Sequence, residues 1–217
     1  MKAQKLNQTY DIWSEFYDEF ANPLIPIEEM AMRSLLRTIE FQDVLDAATG
    51  TGRHAIYLAQ QGKRVAAIDC NENMLSKALE KASRENLSIE FRLEDISGIS
   101  FENSSFDLVI CALVLAHIKD LTKPCQEFMR VLRPGGHLII TDLHPFVQRE
   151  MGPKHRWELI KGETPVFFPN CHSDTKDYQT TMEKIGAKIM AILDIPMKLE
   201  EEIFPGALIV WAKKPEE

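Results

Sequence analysis

Val44-Leu45-Asp46-Ala47-Ala48-Thr49-Gly50-Thr51-Gly52-Arg53-His54-Ala55 is the stretch on which the reading of this chain turns. Phe41-Gln42-Asp43-Val44-Leu45 predicts a short buried strand with Asp46 at its carboxyl end. The small residues Ala47 to Gly52 predict a turn, and a helix is expected to open at about Arg53. In an open parallel sheet, ligands bind in the crevice beyond the carboxyl ends of the strands. Gly50 and Gly52 carry no Cβ, so the backbone can bend tightly and approach a ligand. Free amides at the start of the next helix favour a carboxylate or another anionic group. The glycine spacing alone also fits the G-x-G-x-x-[GA] turn of dinucleotide-binding sheets. Asp46 separates the two readings, because a carboxylate repels a pyrophosphate but suits a ligand with a cationic amino group.

With that aspartate, the stretch resembles the first motif, D-x-G-x-G-x-G, of the class I S-adenosylmethionine (SAM)-dependent methyltransferases. SAM carries an ammonium and a sulfonium and no phosphate. Ala48 departs from the motif, standing where the family commonly has its first glycine. The resemblance implies that Asp46, Ala48, Gly50 and Gly52 line the cofactor, with S-adenosylhomocysteine (SAH) as product.

Composition sets the class of protein. The chain has 217 residues, enough for one sizeable core, and it reads as a single domain over 1–217. Hydrophobic residues make up 45%, ordinary for a globular protein. A formal net charge of −8 with no long basic run argues against nucleic acid, whose phosphates need a basic face. No apolar stretch approaches the roughly 20 residues of a membrane span, and no secretory signal is read at the amino terminus. Cys70, Cys111, Cys125 and Cys171 show no C-x-x-C spacing and read as reduced cytoplasmic thiols rather than a zinc site. The expectation is a cytoplasmic monomer or homodimer acting on a small molecule.

Tyr10, Trp13, Phe16, Tyr17 and Phe20 form an aromatic cluster, and positions 10, 13, 17 and 20 share one helical face. Two readings stand: an amphipathic helix packed on the body, or a lid over the cofactor. Residues 1–40 resemble the lid of many small-molecule methyltransferases, which would put Tyr17 against the cofactor. Pro23 and Pro26 break the chain before a helix from Ile27 to about Ile39.

Arg64-Val65-Ala66-Ala67-Ile68-Asp69 predicts strand two, again ending in an acid. An acid about 20 residues beyond the glycine turn is placed to accept hydrogen bonds from both ribose hydroxyls. The plainer alternative is that Asp69 caps the next helix. That helix shows one apolar stripe, Met74, Leu75, Ala78, Leu79 and Ala82, with Asn71 or Asn73 as its cap. The resemblance places Met74 against the adenine; otherwise it is core. Ser88 to Leu93 predicts strand three. The following Asp95-Ile96 resembles the family's adenine site, an acid accepting from the exocyclic amine and a backbone amide donating to the ring; the alternative for Asp95 is a solvated turn.

Phe106-Asp107-Leu108-Val109-Ile110-Cys111 is a near-continuous apolar run, as for a strand buried on both faces. Its F-D-x-V start resembles the family motif, and the resemblance adds Cys111 to the cofactor contacts. The next residues, Ala112-Leu113-Val114-Leu115-Ala116-His117-Ile118, contain neither the N/D-P-P-Y/F segment of nucleic-acid methyltransferases nor the paired-glutamate loop of protein arginine methyltransferases. They resemble the branch with the ubiquinone and menaquinone methyltransferases. Helix Thr122 to Leu132 leads into Val131-Leu132-Arg133-Pro134-Gly135-Gly136-His137-Leu138-Ile139-Ile140, which resembles V-L-R-P-G-G-x-L-x-I of the family. Here Pro134 is expected to stop the helix and the glycines to turn the chain into strand five.

Residues 143–173 read as a substrate-cap insertion containing His144, Arg149, His155, Arg156, Trp157, Phe167, Phe168, Cys171 and His172, with a hairpin about Lys161-Gly162-Glu163. Cys171-His172 has no partner at metal-ligand spacing, so no metal is expected. Asp174 to about Ile185 is a helix with Gly186 as its cap, and Lys188 to Leu193 and Ala207 to Ala212 are the last strands. The resemblance implies an α/β, Rossmann-like seven-stranded sheet of order 3-2-1-4-5-7-6, last strand antiparallel, with helices on both faces. SAM brings its own leaving group, so alignment dominates. A base is needed only if the acceptor must lose a proton, and His117 and His144, beyond strands four and five, are the candidates. A catalytically silent SAM-binding subunit and an NAD(P) oxidoreductase are the alternatives; Asp46 and the last strand speak against the second.

Overall fold

The computed structural model describes residues 10–19, 22–151, 159–161, 164–166, 174–199 and 201–216. Nine strands are labelled β1 Asp43–Ala47, β2 Arg64–Asp69, β3 Ile89–Leu93, β4 Phe106–Ala112, β5 Leu132–Leu143, β6 Leu159–Lys161, β7 Thr164–Val166, β8 Lys188–Leu199 and β9 Glu202–Lys213. The helices are α1 Leu24–Leu36, α2 Arg53–Gln60, α3 Glu72–Arg84, α4 Thr122–Val131, α5 Pro145–Met151 and α6 Thr175–Lys184, with a 3-10 turn at Leu115–His117.

Seven strands form one sheet in the order β3-β2-β1-β4-β5-β9-β8. β1 to β5 run parallel, while β9 is antiparallel to both β5 and β8. This is the expected order, with β8 and β9 as the sixth and seventh strands. Strand period 2 sends alternate residues to opposite faces. Leu45, Ala47, Val109, Cys111, Leu138 and Ile140 pack with Cys125 and Phe128 of α4 and Tyr178 and Met182 of α6. On the other face Val44, Leu108, Ile110 and Ile139 meet Met32 and Leu36 of α1 and Ala55 and Leu58 of α2. Both faces of the central strands are therefore sealed, which accounts for their unbroken apolar runs.

Several boundaries differ from the sequence reading for identifiable reasons. The first strand begins at Asp43, because the Gln42 and Asp43 amides donate to Asp107 Oδ2 (both 2.9 Å) rather than to a ladder. Asp107 Oδ1 and Asp43 Oδ2 in turn accept from Arg133 Nη1 at 2.5 and 2.7 Å, so these three side chains tie together the amino-terminal ends of β1, β4 and β5, opposite the glycine turn. Helix α1 starts at Leu24 and contains Pro26, since first-turn amides have no helical acceptor to lose. Asn22 Oδ1 takes the Leu24 amide at 3.0 Å. Helix α4 ends at Val131, and the chain is extended from Leu132, ahead of Pro134. The glycines then form a bulge between the pairs Phe106–Leu132 and Leu108–His137. A Cβ on Gly136 would lie 2.8 Å from the Arg133 carbonyl oxygen, so glycine is required there.

The last two strands are longer than expected, pairing from Lys188–Lys213 to Leu199–Glu202. Within the 143–173 segment, β6 and β7 pair antiparallel with Lys161 opposite Thr164, as the hairpin reading requires. Helix α5 there was not foreseen. His155, Arg156, Trp157, Gly162, Glu163, Phe167, Phe168, Cys171 and His172 lie outside the described residues, as does Phe20. The amino-terminal aromatics do not share one continuous helix: residues 10–14 are helical and 15–19 are turns, the Phe16 amide donating to the Trp13 carbonyl and the Glu19 amide to that of Phe16 (both 3.1 Å).

Candidate functional site

The glycine turn closes on the carboxyl ends of β1 and β2. Asp46 is 2% exposed; its Oδ2 accepts from Thr49 Oγ1 at 2.7 Å and from the Ala55 amide at 3.0 Å. Its Oδ1 takes no hydrogen bond from the described residues. Burial pushes the Asp46 carboxyl above its ordinary range against the opposing pull of His54, the Thr49 hydroxyl and Arg53. A buried acid in that condition favours a cationic ligand group. Asp69 Oδ2 accepts the Gly50 amide and Oδ1 the Asn71 amide, both at 2.8 Å. Each oxygen keeps a second lone pair for a ligand hydroxyl. Burial raises the Asp69 carboxyl too, while these amides pull it back. The helix-cap alternative is settled for another residue: Asn71 caps α3, its side-chain oxygen accepting the Met74 amide at 2.9 Å.

Ala48, Gly50 and Gly52 all adopt positive φ, at 61°, 57° and 85°. Ala48 therefore sits in a conformation made for glycine, which explains why the related motif has glycine there. A Cβ on Gly50 would face open space, whereas one on Gly52 would lie 2.8 Å from Ala78 Cβ. Gly50 thus keeps backbone open towards a ligand, and Gly52 lets α2 approach α3. Beyond β3, Asp95 is exposed and Ile96 is 6% exposed. Asp95 Oδ1 accepts the Ser97 amide at 2.7 Å, and the Glu94 amide bonds the Asp69 carbonyl at 2.9 Å, drawing this turn against the end of β2. Met74 is buried at the start of α3. Cys111 is wholly buried in the core around β4, where its side chain packs, and burial pushes its thiol well up.

The amino-terminal segment lies across this crevice. Asp11 Oδ1 accepts from Asn71 Nδ2 (2.7 Å) and Asn73 Nδ2 (3.1 Å). Asp18 accepts from Thr51 Oγ1 (2.7 Å) and Lys81 Nζ (2.8 Å). The Tyr10 ring meets His117 edge-on at 6.3 Å between centroids and stacks on Trp13 at 5.7 Å; Trp13 meets Tyr17 at 4.6 Å. Burial, with Tyr17, Asp69 and Asp142 nearby, pushes the Tyr10 phenol well above its usual value. A cleft of about 480 Å³ opens between Tyr17, Asp18, Asn22, Pro23, Ile25, Pro26 and Arg53. Its walls do not include Asp69 or Asp95, so it adjoins the crevice under this segment rather than being that crevice.

His144 departs from the expectation of a base. Its Nδ1 accepts the Phe146 amide at 3.0 Å, which leaves Nε2 to face Asp194 Oδ1 at 3.1 Å. Both ring nitrogens are engaged within the protein, and the ring caps α5 beside a separate cleft of about 390 Å³ with Arg149, Asp174 and Gln179. His117, on the 3-10 turn after β4, stays beside the crevice. Among the described residues no group of three acidic, histidine or cysteine side chains stands ready to hold a metal. No helix among them is long and apolar enough to cross a membrane.

Two arrangements escaped the sequence reading. Glu28 of α1 is fully buried and accepts from Arg53 Nη1 (2.6 Å), Thr141 Oγ1 (2.8 Å) and, at 3.2 Å, meets His54 Nε2. Partners so distant in sequence leave no local signal. Asp142, 2% exposed at the end of β5, accepts from the Ala116 amide (2.6 Å) and Tyr178 Oη (2.9 Å). Burial carries its carboxyl up to about 7. Its signal was present, since strands β1 and β2 also end in acids.

Residues 45–140 match the family described as Methyltransferase domain. Over those residues the chain is similar to a methyltransferase domain. The chain is 33% identical over 150 residues to the demethylmenaquinone methyltransferase of Bacteroides fragilis, covering 65% of the chain and 61% of that protein. It is 28% identical to the demethylmenaquinone methyltransferase of Clavibacter sepedonicus, over 86% of the chain and 77% of that protein. The chain thus spans a little over three-fifths of the length of the Bacteroides relative. A SAM-dependent methyltransferase structure from Mesorhizobium loti superposes with a TM-score of 0.71 at 20% identity, over 87% of this chain and 98% of that chain, which establishes the shared fold.

Proposed function

We propose that this chain transfers the methyl group of SAM to an O, N or C nucleophile of a small-molecule acceptor, releasing SAH. The observation that carries the reading is the glycine turn itself. Asp46 Oδ1 accepts nothing from the described residues, beside a Gly50 whose missing Cβ faces open space and an Asp69 with lone pairs to spare. This donor and acceptor set suits an ammonium and a ribose. It does not suit a pyrophosphate, which two buried carboxylates would repel. Asp46 holds the amino group, Asp69 the ribose hydroxyls, and Asp95 with the Ile96 amide the adenine.

When bound, SAM supplies both the methyl group and its leaving group. The protein's task is then alignment, which can lower a barrier by about 7–11 kcal/mol. The segment carrying Tyr10, Trp13 and Tyr17 acts as the lid, excluding water from the crevice. Residues 143–173 roof the acceptor. His117 takes the acceptor's proton where one must leave. His144, with both nitrogens engaged, positions α5 instead. The protein works as a cytoplasmic monomer or homodimer with no nucleic-acid partner; the net charge of −8 and free Cys70, Cys111 and Cys125 support this.

Incubation with methyl-labelled SAM and a cell extract, followed by tracing of the label, tests the proposal. Label should enter a small molecule. Label only in protein or nucleic acid, or none with SAH bound tightly, would refute it.

A further inference from the structure

We propose that Asp142 and Tyr178 are positioning residues for methyl transfer, holding the exit of β4 so that His117 faces the crevice. The inference rests on the methyltransferase reading of the site. After Ala112 the chain takes an unusual path. Leu113 has φ 58°, a left-handed conformation that a leucine adopts only when its surroundings enforce it. Its amide bonds the Thr141 carbonyl at 2.8 Å. The chain then tightens into the 3-10 turn Leu115–His117, where the His117 amide bonds the Val114 carbonyl at 3.0 Å. In the middle of that turn the Ala116 amide points away from the turn's own carbonyls and donates to Asp142 Oδ2.

Asp142 is thus the acceptor that fixes the turn, and Tyr178 is what fixes Asp142. The phenol donates to the same Oδ2 from α6, and the Leu143 amide donates to Oδ1 at 3.0 Å. Tyr178 is 1% exposed and sits among the core side chains of the α4–α6 face. Stability alone gives no reason for this pair, because burying a carboxylate is costly and an apolar pair of like volume packs at least as well. What the carboxylate does that an apolar group cannot is take a backbone amide from the loop bearing His117. The fold thereby couples helix α6 to the loop beside the acceptor.

The test uses Asp142→Leu and Tyr178→Phe in the full chain, with ¹³C-labelled histidine and His117→Ala to assign the His117 ring signal. With SAH bound, the His117 signal should move in Asp142→Leu, which removes the acceptor, while SAH affinity is unchanged. Turnover of the acceptor found by label tracing should fall at least about tenfold, the size of one hydrogen bond to a charged group. Tyr178→Phe should shift both readouts in the same direction by less. A lower melting temperature with His117 signal and turnover like wild type would make the pair ordinary scaffold and overturn the proposal. Should Asp142→Leu fail to fold, Tyr178→Phe, which deletes one hydroxyl, decides by the same readouts. Full turnover in His117→Ala would instead refute the base assignment, and the His117 signal in Asp142→Leu would still judge the positioning.

Discussion

Replacing Glu28 by glutamine should be among the most damaging isosteric changes in this chain. Glu28 has no exposure and gathers Arg53, His54 and Thr141 from α2 and β5. Burial alone would raise its carboxyl, but His54, Arg53 and the Thr141 hydroxyl overcome it and bring it down from 4.5 to about 2. That difference corresponds to about 3 kcal/mol of stability at neutral pH. The native carboxyl is depressed, so this stability is fully present above the ordinary value of 4.5 and is lost as pH falls towards 2. Glutamine keeps the shape but leaves the nearly buried Arg53 guanidinium without its counter-charge, a loss of about 3–5 kcal/mol. For a chain of this size that lowers the melting temperature by roughly 6–20 °C. Urea and thermal unfolding of both proteins from pH 7 downwards measure it, and the gap between them should narrow as the pH drops below 4.5. A variant within about 1 kcal/mol of wild type at pH 7, or a gap indifferent to acid, would refute the reasoning.

Other expectations are as direct. Asp69→Ala should weaken SAH by about 1.5–3 kcal/mol in calorimetry, as for hydrogen bonds to a charged group; preferential binding of NADH would refute the cofactor assignment. His117→Ala should lower turnover by about 10²–10⁴ with SAH affinity intact. The wild-type rate should decline as pH falls through about 6.5, where a histidine base becomes protonated. Hydrogen exchange over residues 10–19 should slow on SAH binding, and equal protection without ligand would make the segment plain scaffold. Ala48→Gly should leave stability within about 1 kcal/mol, relief of the left-handed strain offsetting a looser unfolded chain. Ala48→Val should cost more than about 1 kcal/mol, and a neutral result would show that the positive φ relaxes.

The sequence by itself determined the alternation of strands and helices, the glycine turn and the acids that end β1 and β2. Each rests on neighbours in the chain: an apolar run, a missing Cβ, a carboxylate next to a turn. Resemblance of motifs then supplied the strand order, which the antiparallel β9 bears out. Tertiary structure decided where local signals were equivocal or wholly missing. Pro26 looked like a break until its place in the first turn of α1 made its missing amide harmless. The aromatic spacing 10, 13, 17, 20 promised one helix, but Asp11 and Asp18 bond α3 and the glycine turn, and the helix ends after residue 14. His117 and His144 were both candidates in sequence; only the fold showed that the His144 ring meets the Phe146 amide and Asp194, while the His117 ring meets Tyr10 edge-on. Glu28 with Thr141, and Asp142 with Ala116 and Tyr178, are pairings across long stretches of chain. Their energies arise from burial that exists only once the sheet and its helices have closed on each other, which no window of sequence contains.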